Sequence, residues 1–241
     1  MRKIYIGTAG WSVPTACAAS FPFEGTHLER YARTFRCVEI NSSFYRPHRH
    51  ATWTRWAEST PADFRFSVKM PRALTHDSGL ICHREQLLPF LDQIRLLGER
   101  LGPGLIQLPP SQSYDPKLAP SFLETIRAEF PDGQLVIEPR HITWFSSEAD
   151  RLLSNLRIAR VVADPPVCPA SLMPIGDPSL VYFRLHGSPR MYYSSYGDAF
   201  LERIASLIAE HSSATVWCIF DNTALGHATA NALQLSHITR A

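Results

Sequence analysis

Short apolar runs recur along the chain, and each ends in a charged or amide residue. The runs hold four to seven residues rich in Val, Ile, Phe and Tyr, which is typical of buried strands. Stretches with helical periodicity follow most of the runs, and this indicates parallel strands joined by helices. We expect eight strands, at residues 4–7, 37–41, 65–70, 104–108, 135–140, 159–164, 180–186 and 215–221.

One connection is predicted to lack a helix. After Asp164 the chain continues as PPVCPASLMPIGDPSL, with five prolines. Proline removes a backbone donor and clashes with the preceding turn, so no helix forms through this density of proline. We therefore predict an irregular loop after the sixth strand. A second long connection, residues 71–83, follows the third strand and precedes the third helix. Long loops at one end of a scaffold are common binding sites.

The order of elements predicts an α/β fold, a TIM-type (β/α)8 barrel in which the helix after strand six is replaced by the Pro-rich loop. We expect residues 1–241 to form one barrel domain. The alternative is a doubly wound open sheet. That fold would place G-x-G-x-x-G at the start of its first helix, whereas GTAGW (7–11) is followed by Ser12, Val13 and Pro14. The turn therefore favours the barrel.

Composition narrows the class of protein. The chain has 241 residues, of which 45% are hydrophobic, so it can bury one large core. Its five cysteines are widely spaced and never form C-x-x-C, which argues against a disulfide framework and a zinc site. A net charge of +2 is too small to indicate a polyanionic partner by itself. No apolar segment approaches the about 20 residues of a membrane helix. We expect a cytoplasmic protein without a membrane partner.

The alternation of side chains along each strand predicts which residues point into the barrel. Glu39 shares a strand face with Asn41, Lys69 ends the third strand and Gln107 the fourth. On the last strand we expect Asn222 to point inward and Trp217 to face the helices. The expected inward ring then holds three acids and three bases, namely Glu39, Glu138 and Asp164 with Lys69, Arg140 and Arg184.

The inward-facing charges favour a binding site for a small anionic compound that contains a ring. Lysine and arginine bind phosphate or carboxylate, and a helix N-terminus after the last strand adds backbone donors. Loop aromatics would stack on a planar ligand. The predicted proton-transfer residues are Glu138, Asp164 and His186. The predicted ligand-binding residues are Glu39, Asn41, Lys69, Gln107, Arg140, His141, Arg184, Asn222, Trp11 and Tyr45.

Three alternatives stay open. The first is a divalent-metal-dependent isomerase or phosphodiesterase. The acids and histidines that would bind the metal lie beside three cations, which would repel it. We therefore expect no metal and no cofactor. The second is a structural barrel closed by buried ion pairs. If the protein is an enzyme, the ring favours a metal-independent hydrolase, lyase or isomerase. The third is a non-catalytic nucleic-acid-binding protein that uses loop aromatics with Arg46, Arg49, Arg55 and Arg72.

Seven sequence blocks carry a family resemblance, and they cover nearly the whole chain. In order they are GTAGW, VEINSSFYR, FRFSVKMPRALTH, GPGLIQLPPS, IEPRHITWF, YFRLHG and FDNTALGHATANAL. Together they resemble the YecE-like family, also called domain of unknown function 72. The resemblance implies a TIM-type barrel and no assigned activity, substrate or cofactor. The chain departs from the family at Asp221, where Asn is frequent, and at Val13, where an aromatic residue is frequent.

Overall fold

A computed structural model describes residues 3–239, so the first two and the last two residues of the expected 1–241 domain lie outside it. Within that range the strands are β1 (Ile4–Thr8), β2 (Cys37–Ile40), β3 (Arg65–Lys69), β4 (Leu101–Gln107), β5 (Leu135–Glu138), β6 (Ile158–Arg160), β7 (Val162–Asp164), β8 (Leu180–Leu185) and β9 (Thr215–Phe220). The helices are α1 (His27–Ala32), α2 (His50–Glu58), α3 (Arg72–Thr75), α4 (Arg84–Arg95), α5 (Leu118–Glu129), α6 (Ser147–Asn155), α7 (Asp198–Glu210) and α8 (His227–Ile238).

All strand pairings are parallel, and the order closes on itself. One sheet runs β1-β9-β8-β7 and the other β2-β3-β4-β5-β6. The amide of Gly10 donates to the carbonyl of Glu39 (2.8 Å), which joins β1 to β2. At the other seam, the predicted strand 159–164 is split into β6 and β7 at Val161, whose amide donates to Ile137 (2.8 Å). The TIM-type barrel is therefore confirmed, with its sixth strand in two pieces.

The predicted Pro-rich loop is also confirmed. Between β7 and β8 the described backbone forms only a short 3-10 turn, Pro169–Leu172. Arg160 supports it from the outer face of β6, because its Nη2 donates to the carbonyls of Ala170 (3.2 Å) and Met173 (3.4 Å) while its Nη1 binds Asp150. A buried guanidinium thus joins the Pro-rich loop to α6 on the outer face of β6.

Apolar side chains form two separate layers. The outer layer lies between strands and helices and includes Val68 and Ile137. The inner layer fills the barrel with Cys37, Leu105, Val136, Ala159, Val161, Ala163, Leu180, Tyr182, Trp217 and Ile219. The parallel stack of Tyr182 on Trp217, with ring centres 5.9 Å apart, lies within it. This inner layer forms the base on which the polar mouth, the carboxyl end of the strands, is built.

The predicted facing of β9 is wrong. Trp217 and Ile219 point into the barrel, so Asp221 also points inward and Asn222 points outward. The indole fits inside because Gly102 lies opposite it; a Cβ there would stand 2.7 Å from the indole ring. The large side chain therefore occupies space left by glycine, rather than the helix-covered face.

The predicted inward direction of Asp164 is wrong as well. Ala159, Val161 and Ala163 take the inner face, so Val162 and Asp164 lie on the outer one. The carboxylate of Asp164 accepts a hydrogen bond from the Tyr196 hydroxyl (2.8 Å) and anchors the loop after β8. The inner face at this seam thus carries only small apolar side chains, Ala159, Val161 and Ala163.

No helix within residues 3–239 is long and apolar enough to cross a membrane.

Candidate functional site

Arg184, near the end of β8, is the centre of a buried charge cluster. Its Nε and Nη2 donate to the two oxygens of Glu39 (3.0 and 2.7 Å), a bidentate pair. Its Nη1 donates to Glu138 (2.5 Å) and its Nη2 also to Asp221 (3.1 Å). The arginine is 0% exposed, and so is Glu39. We call these three carboxylates, Glu39, Glu138 and Asp221, the acidic trio.

Glu138, Asp221 and Arg184 hold each other in their charged forms. Burial alone would raise the pKa of Glu138, but the charges of Arg140 and Arg184 and a hydrogen bond with His186 keep it well below its usual value. The same balance lowers the pKa of Asp221, against burial, through Arg184 and His186. Burial opposes the charge on Arg184, yet the acidic trio raises the pKa of its guanidinium.

His186, directly after β8, is buried between two members of the trio. Its Nδ1 lies 3.1 Å from Asp221, and because a carboxylate only accepts hydrogen bonds, Nδ1 carries a proton. Its Nε2 lies 2.9 Å from Glu138 and 2.6 Å from Nη2 of Arg140. Nε2 can donate to the carboxylate or accept from the guanidinium, but not both at once. The imidazole therefore has two bonding states that differ by one proton.

The floor of the cluster is a hydroxyl pair. Tyr182 donates to Glu39 (2.9 Å), and its oxygen lies 2.8 Å from the hydroxyl of Ser67. Burial next to Glu39 raises the pKa of Tyr182 well above its usual value, so the phenol stays protonated. The phenol thus fixes one side of the trio from below and separates it from the apolar inner layer.

Lys69 and Arg140 lie at the mouth with unused donors. Lys69 is 7% exposed, and its ammonium lies 4.0 Å from the centre of the Phe44 ring. In the described part of the chain, Nζ has no hydrogen bond or ion pair. Arg140, whose side chain is 10% exposed, contacts Glu138 (2.6 Å) and His186 through Nη2 alone. Its Nε and Nη1 have no protein partner within residues 3–239.

Burial and the positive charge of Arg184 lower the pKa of Lys69, while the acidic trio partly offsets them. Lys69 therefore loses its proton more easily than an exposed lysine does.

The remaining predicted ligand-binding residues divide into two groups. Asn41 and Gln107 lie at the mouth; the amide of Asn41 donates to Asp221 at 3.5 Å, and its Oδ1 is buried without a partner among the described residues. His141 lies apart from the cluster, where its Nδ1 contacts Thr143 (2.9 Å) and caps a short turn.

Trp11 packs edge-on against Trp56 (5.0 Å) and belongs to the outer core. Tyr45 is 77% exposed beside Phe44.

The corrected direction of β9 moves Asn222 out of the ring. Its amide donates to the carbonyl of Ser194 (2.9 Å) and to Asn231 (3.0 Å), so it ties the loop after β8 to α8. Asp221 points inward instead and makes up for the loss of Asp164, so the ring again holds three acids and three bases. Strand alternation alone does not assign Asp221 to the inner face; the signal for its direction is Gly102, which lies opposite Trp217.

Tyr192 was not among the predicted site residues. It meets the His186 ring edge-on with centres 5.8 Å apart, and its backbone has the left-handed φ of 68°. Burial near Asp221 raises the pKa of its phenol, partly offset by Arg140 and Arg184. The loop after β8 thus places a protonated tyrosine beside the imidazole.

The acidic side chains do not surround a vacant position. Their oxygens point at the guanidinium of Arg184, which lies between them. In the region 3–239, no group of three or more His, Cys, Asp and Glu side chains has an arrangement suited to a metal ion.

A cavity of about 970 Å³ lies elsewhere, at the amino end of the barrel. Two of its charged residues, Arg36 and Asp63, are exposed and pair with each other (3.6 Å), and Lys3, Arg33 and Arg65 also line it. We take the mouth as the candidate site because barrel enzymes bind their substrates at the carboxyl end.

Sequence comparison identifies a family and several relatives. A family model described as "Protein of unknown function DUF72" matches residues 5–241. The UPF0759 protein YecE of Escherichia coli K12 is 32% identical over 169 residues, which cover 67% of this chain and 59% of that protein. The UPF0759 protein YunF of Bacillus subtilis is 27% identical over 155 residues, or 59% and 52% of the two chains. The alignments thus span little more than half the length of these relatives.

Solved structures agree with the fold. A DUF72 family protein from Thermotoga maritima superposes with a TM-score of 0.82 at 27% identity and covers 100% of both chains. Another from Enterococcus faecalis gives 0.83 at 22% identity, with 99% and 96% covered. A D-psicose 3-epimerase from Clostridium cellulolyticum gives 0.53 at 9% identity, with 89% and 91% covered, a likeness of fold alone. The resemblance inferred from the seven sequence blocks is confirmed.

Proposed function

Because the chain belongs to DUF72, a family of unknown function, we propose a function from its own side chains: it binds a small organic anion at the barrel mouth and transfers a proton to or from it. The observation that carries this proposal is a pair of cations with N–H groups that no described protein atom accepts: Nζ of Lys69, and Nε and Nη1 of Arg140. A ligand with a carboxylate or phosphate would complete them.

The buried cluster below supports this role because it is already neutralised. Arg184 shares its charge with the acidic trio, so it fixes geometry and is not available to a ligand. The partly exposed Arg140 retains Nε and Nη1 for the mouth, where an anion would contact both nitrogens. In binding sites of this kind, buried residues such as Arg184 fix the orientation of the residues that contact the ligand, here Arg140. Lys69 then supplies the second positive contact.

His186 is the best candidate for proton transfer. Asp221 fixes one ring nitrogen, and Nε2 can exchange a proton with a ligand that displaces Arg140 from it. Glu138 and Asp221 stay ionised and stabilise the imidazolium that this exchange produces. Asp164, which lies on the outer face, has no part in this step.

A ring-bearing ligand fits the aromatic residues of the mouth. Tyr192 adjoins His186, and the exposed Tyr45 stands on the loop after β2. Planar side chains of this kind stack on sugars or bases. The proposed ligand class is therefore a ring compound with a carboxylate or phosphate group.

A thermal-shift panel of sugar phosphates, nucleotides and cyclic carboxylic acids tests the proposal. We expect at least one compound to raise the melting temperature of the wild-type protein, and Lys69→Met and Arg140→Gln each to remove that rise. Lys117→Met and Arg151→Gln, at exposed positions, are the matched controls and should keep it. The proposal fails if no compound stabilises the protein, or if both mouth variants retain the effect.

A further inference from the structure

Lysine is rare in this chain, which contains three lysines against 21 arginines. Two of them, Lys3 and Lys117, are exposed, and the third is Lys69 at the mouth. Arginine stays protonated in proteins and cannot act as a nucleophile, whereas a lysine amine can. At the barrel mouth the chain therefore has a lysine, whose amine can attack a ligand once it loses its proton, where an arginine could only pair with it.

The surroundings of Lys69 suit an amine that reacts. It ends β3 on the inner face, and its side chain is buried beside Phe44. The part of the chain described here provides no carboxylate within ion-pair distance of Nζ. An apolar wall, a nearby guanidinium and the lack of a direct acid partner are the conditions that activate catalytic lysines.

We propose that Nζ of Lys69 forms a Schiff base with the carbonyl carbon of the bound anion, which would then be an oxo acid or an oxo sugar phosphate. This inference rests on the proposed function for the anionic group, which Arg140 would hold. The unprotonated amine attacks the carbonyl carbon, and a C–N bond forms. The nitrogen passes one proton to the carbonyl oxygen and keeps the other, an acid protonates the resulting hydroxyl, which leaves as water, and the product is an iminium; no oxidant or reductant is consumed.

The cluster supplies the proton transfers that this condensation requires. Expulsion of the hydroxyl from the intermediate needs an acid, and His186 can donate from Nε2. Arg184 stays charged beneath the site and cannot take part in proton exchange. The resulting iminium would be positively charged and would lie above the acidic trio, whose charge favours it.

Reductive trapping tests the proposal on the wild-type protein. The probes are pyruvate and dihydroxyacetone phosphate, each with sodium cyanoborohydride, followed by intact mass measurement and peptide mapping. We expect one modified lysine, with the mass of the probe added less water plus two hydrogens, at Lys69. Lys3 and Lys117 serve as internal controls and should stay at background. Equal modification of all three lysines, or none at Lys69, would overturn the proposal.

Lys69→Arg keeps the positive charge and removes the nucleophile, so the trapped adduct should disappear in this variant. Persistence of a specific adduct elsewhere in Lys69→Arg would also overturn the proposal.

The two proposals fail separately. If the anion panel stabilises the protein through Lys69 and Arg140 but no probe is trapped, the Schiff base is wrong and the anion site stands. If propanal, which has no anionic group, is trapped at Lys69 as fast as pyruvate and the panel has no effect, the amine chemistry stands and the anion site is wrong.

Discussion

Replacing Arg184 with methionine should strongly destabilise the protein. Methionine has a similar length but no charge, so the acidic trio would lose its shared partner. Four hydrogen bonds of 2.5 to 3.1 Å disappear, two of them to Glu39, which is fully buried. The carboxylates would stay buried without it.

The expected magnitude follows from the burial of both partners. Removing one member of a buried ion pair costs about 3–5 kcal/mol, because the remaining charge is left uncompensated. For a chain of this length each kcal/mol lowers the melting temperature by about 2–4 °C, so a fall of about 6–20 °C is expected.

Urea unfolding at pH 7, followed by far-ultraviolet circular dichroism, measures this cost. A double-mutant cycle with Glu39→Gln isolates the pair: the combination of Glu39→Gln and Arg184→Met should recover part of the loss, because fewer charges are left unpaired. Arg151→Gln, on the exposed face of α6, is the control and should change stability by less than about 0.5 kcal/mol. A loss below about 1 kcal/mol for Arg184→Met, or strictly additive single effects, would refute the reasoning.

Three further predictions concern the cluster and the direction of β9. The free energy of unfolding of the wild-type protein should fall as the pH drops below 4.5. The pKa values of Glu138 and Asp221 are lowered in the folded protein, so these groups stabilise it only while they are ionised. In an acid titration of the unfolding free energy, Arg184→Met should flatten this dependence. An equal acid sensitivity in both proteins would contradict it. Trp217→Ala should cost about 3–5 kcal/mol in urea unfolding, because the indole fills the barrel interior, and a cost under 1 kcal/mol would place it elsewhere. Asn222→Ala should cost about 1–3 kcal/mol through two lost hydrogen bonds but leave anion stabilisation intact in the thermal-shift panel, and loss of that stabilisation would return Asn222 to the site.

Strand-end polar residues predict most of the fold and much of the cluster. Glu39, Lys69, Glu138 and Arg184 lie on the inner face as alternation indicates, because each of their strands has one clearly apolar face. The Pro-rich loop follows from backbone chemistry alone. Both the inward side chains and the Pro-rich loop can be predicted because each depends only on residues that are close in sequence.

The two wrong directions arise where alternation carries little information. Around Asp164 the polar residues share one strand face with Arg160, and that face points outward because the Arg160 guanidinium binds Asp150 of α6 and the Pro-rich loop. At β9 the inward choice depends on Trp217 meeting Gly102, more than one hundred residues away. Such long-range packing cannot be read from a single strand. The hydrogen bonds that join Asp221 to His186 and Arg184 follow from the same packing.

The balance of three acids and three bases fits either a structural plug or a binding site. Arg184 fits the structural role, since the acidic trio accepts four hydrogen bonds from it and its Nη1 also lies 3.5 Å from Nε2 of His186. Lys69 and Arg140 do not, because an ion-paired plug would leave no donors turned toward the mouth. The difference between the inner and outer cations is what distinguishes a support from a ligand contact.

Calorimetric titration of the most stabilising anion in the panel tests the binding site most directly. Wild-type protein and Lys117→Met should bind it with equal affinity, while Lys69→Met and Arg140→Gln should each weaken binding by about tenfold or more, since a hydrogen bond to a charged group contributes about 1.5–3 kcal/mol. Unchanged affinity in both mouth variants would contradict the assignment of the site to Lys69 and Arg140.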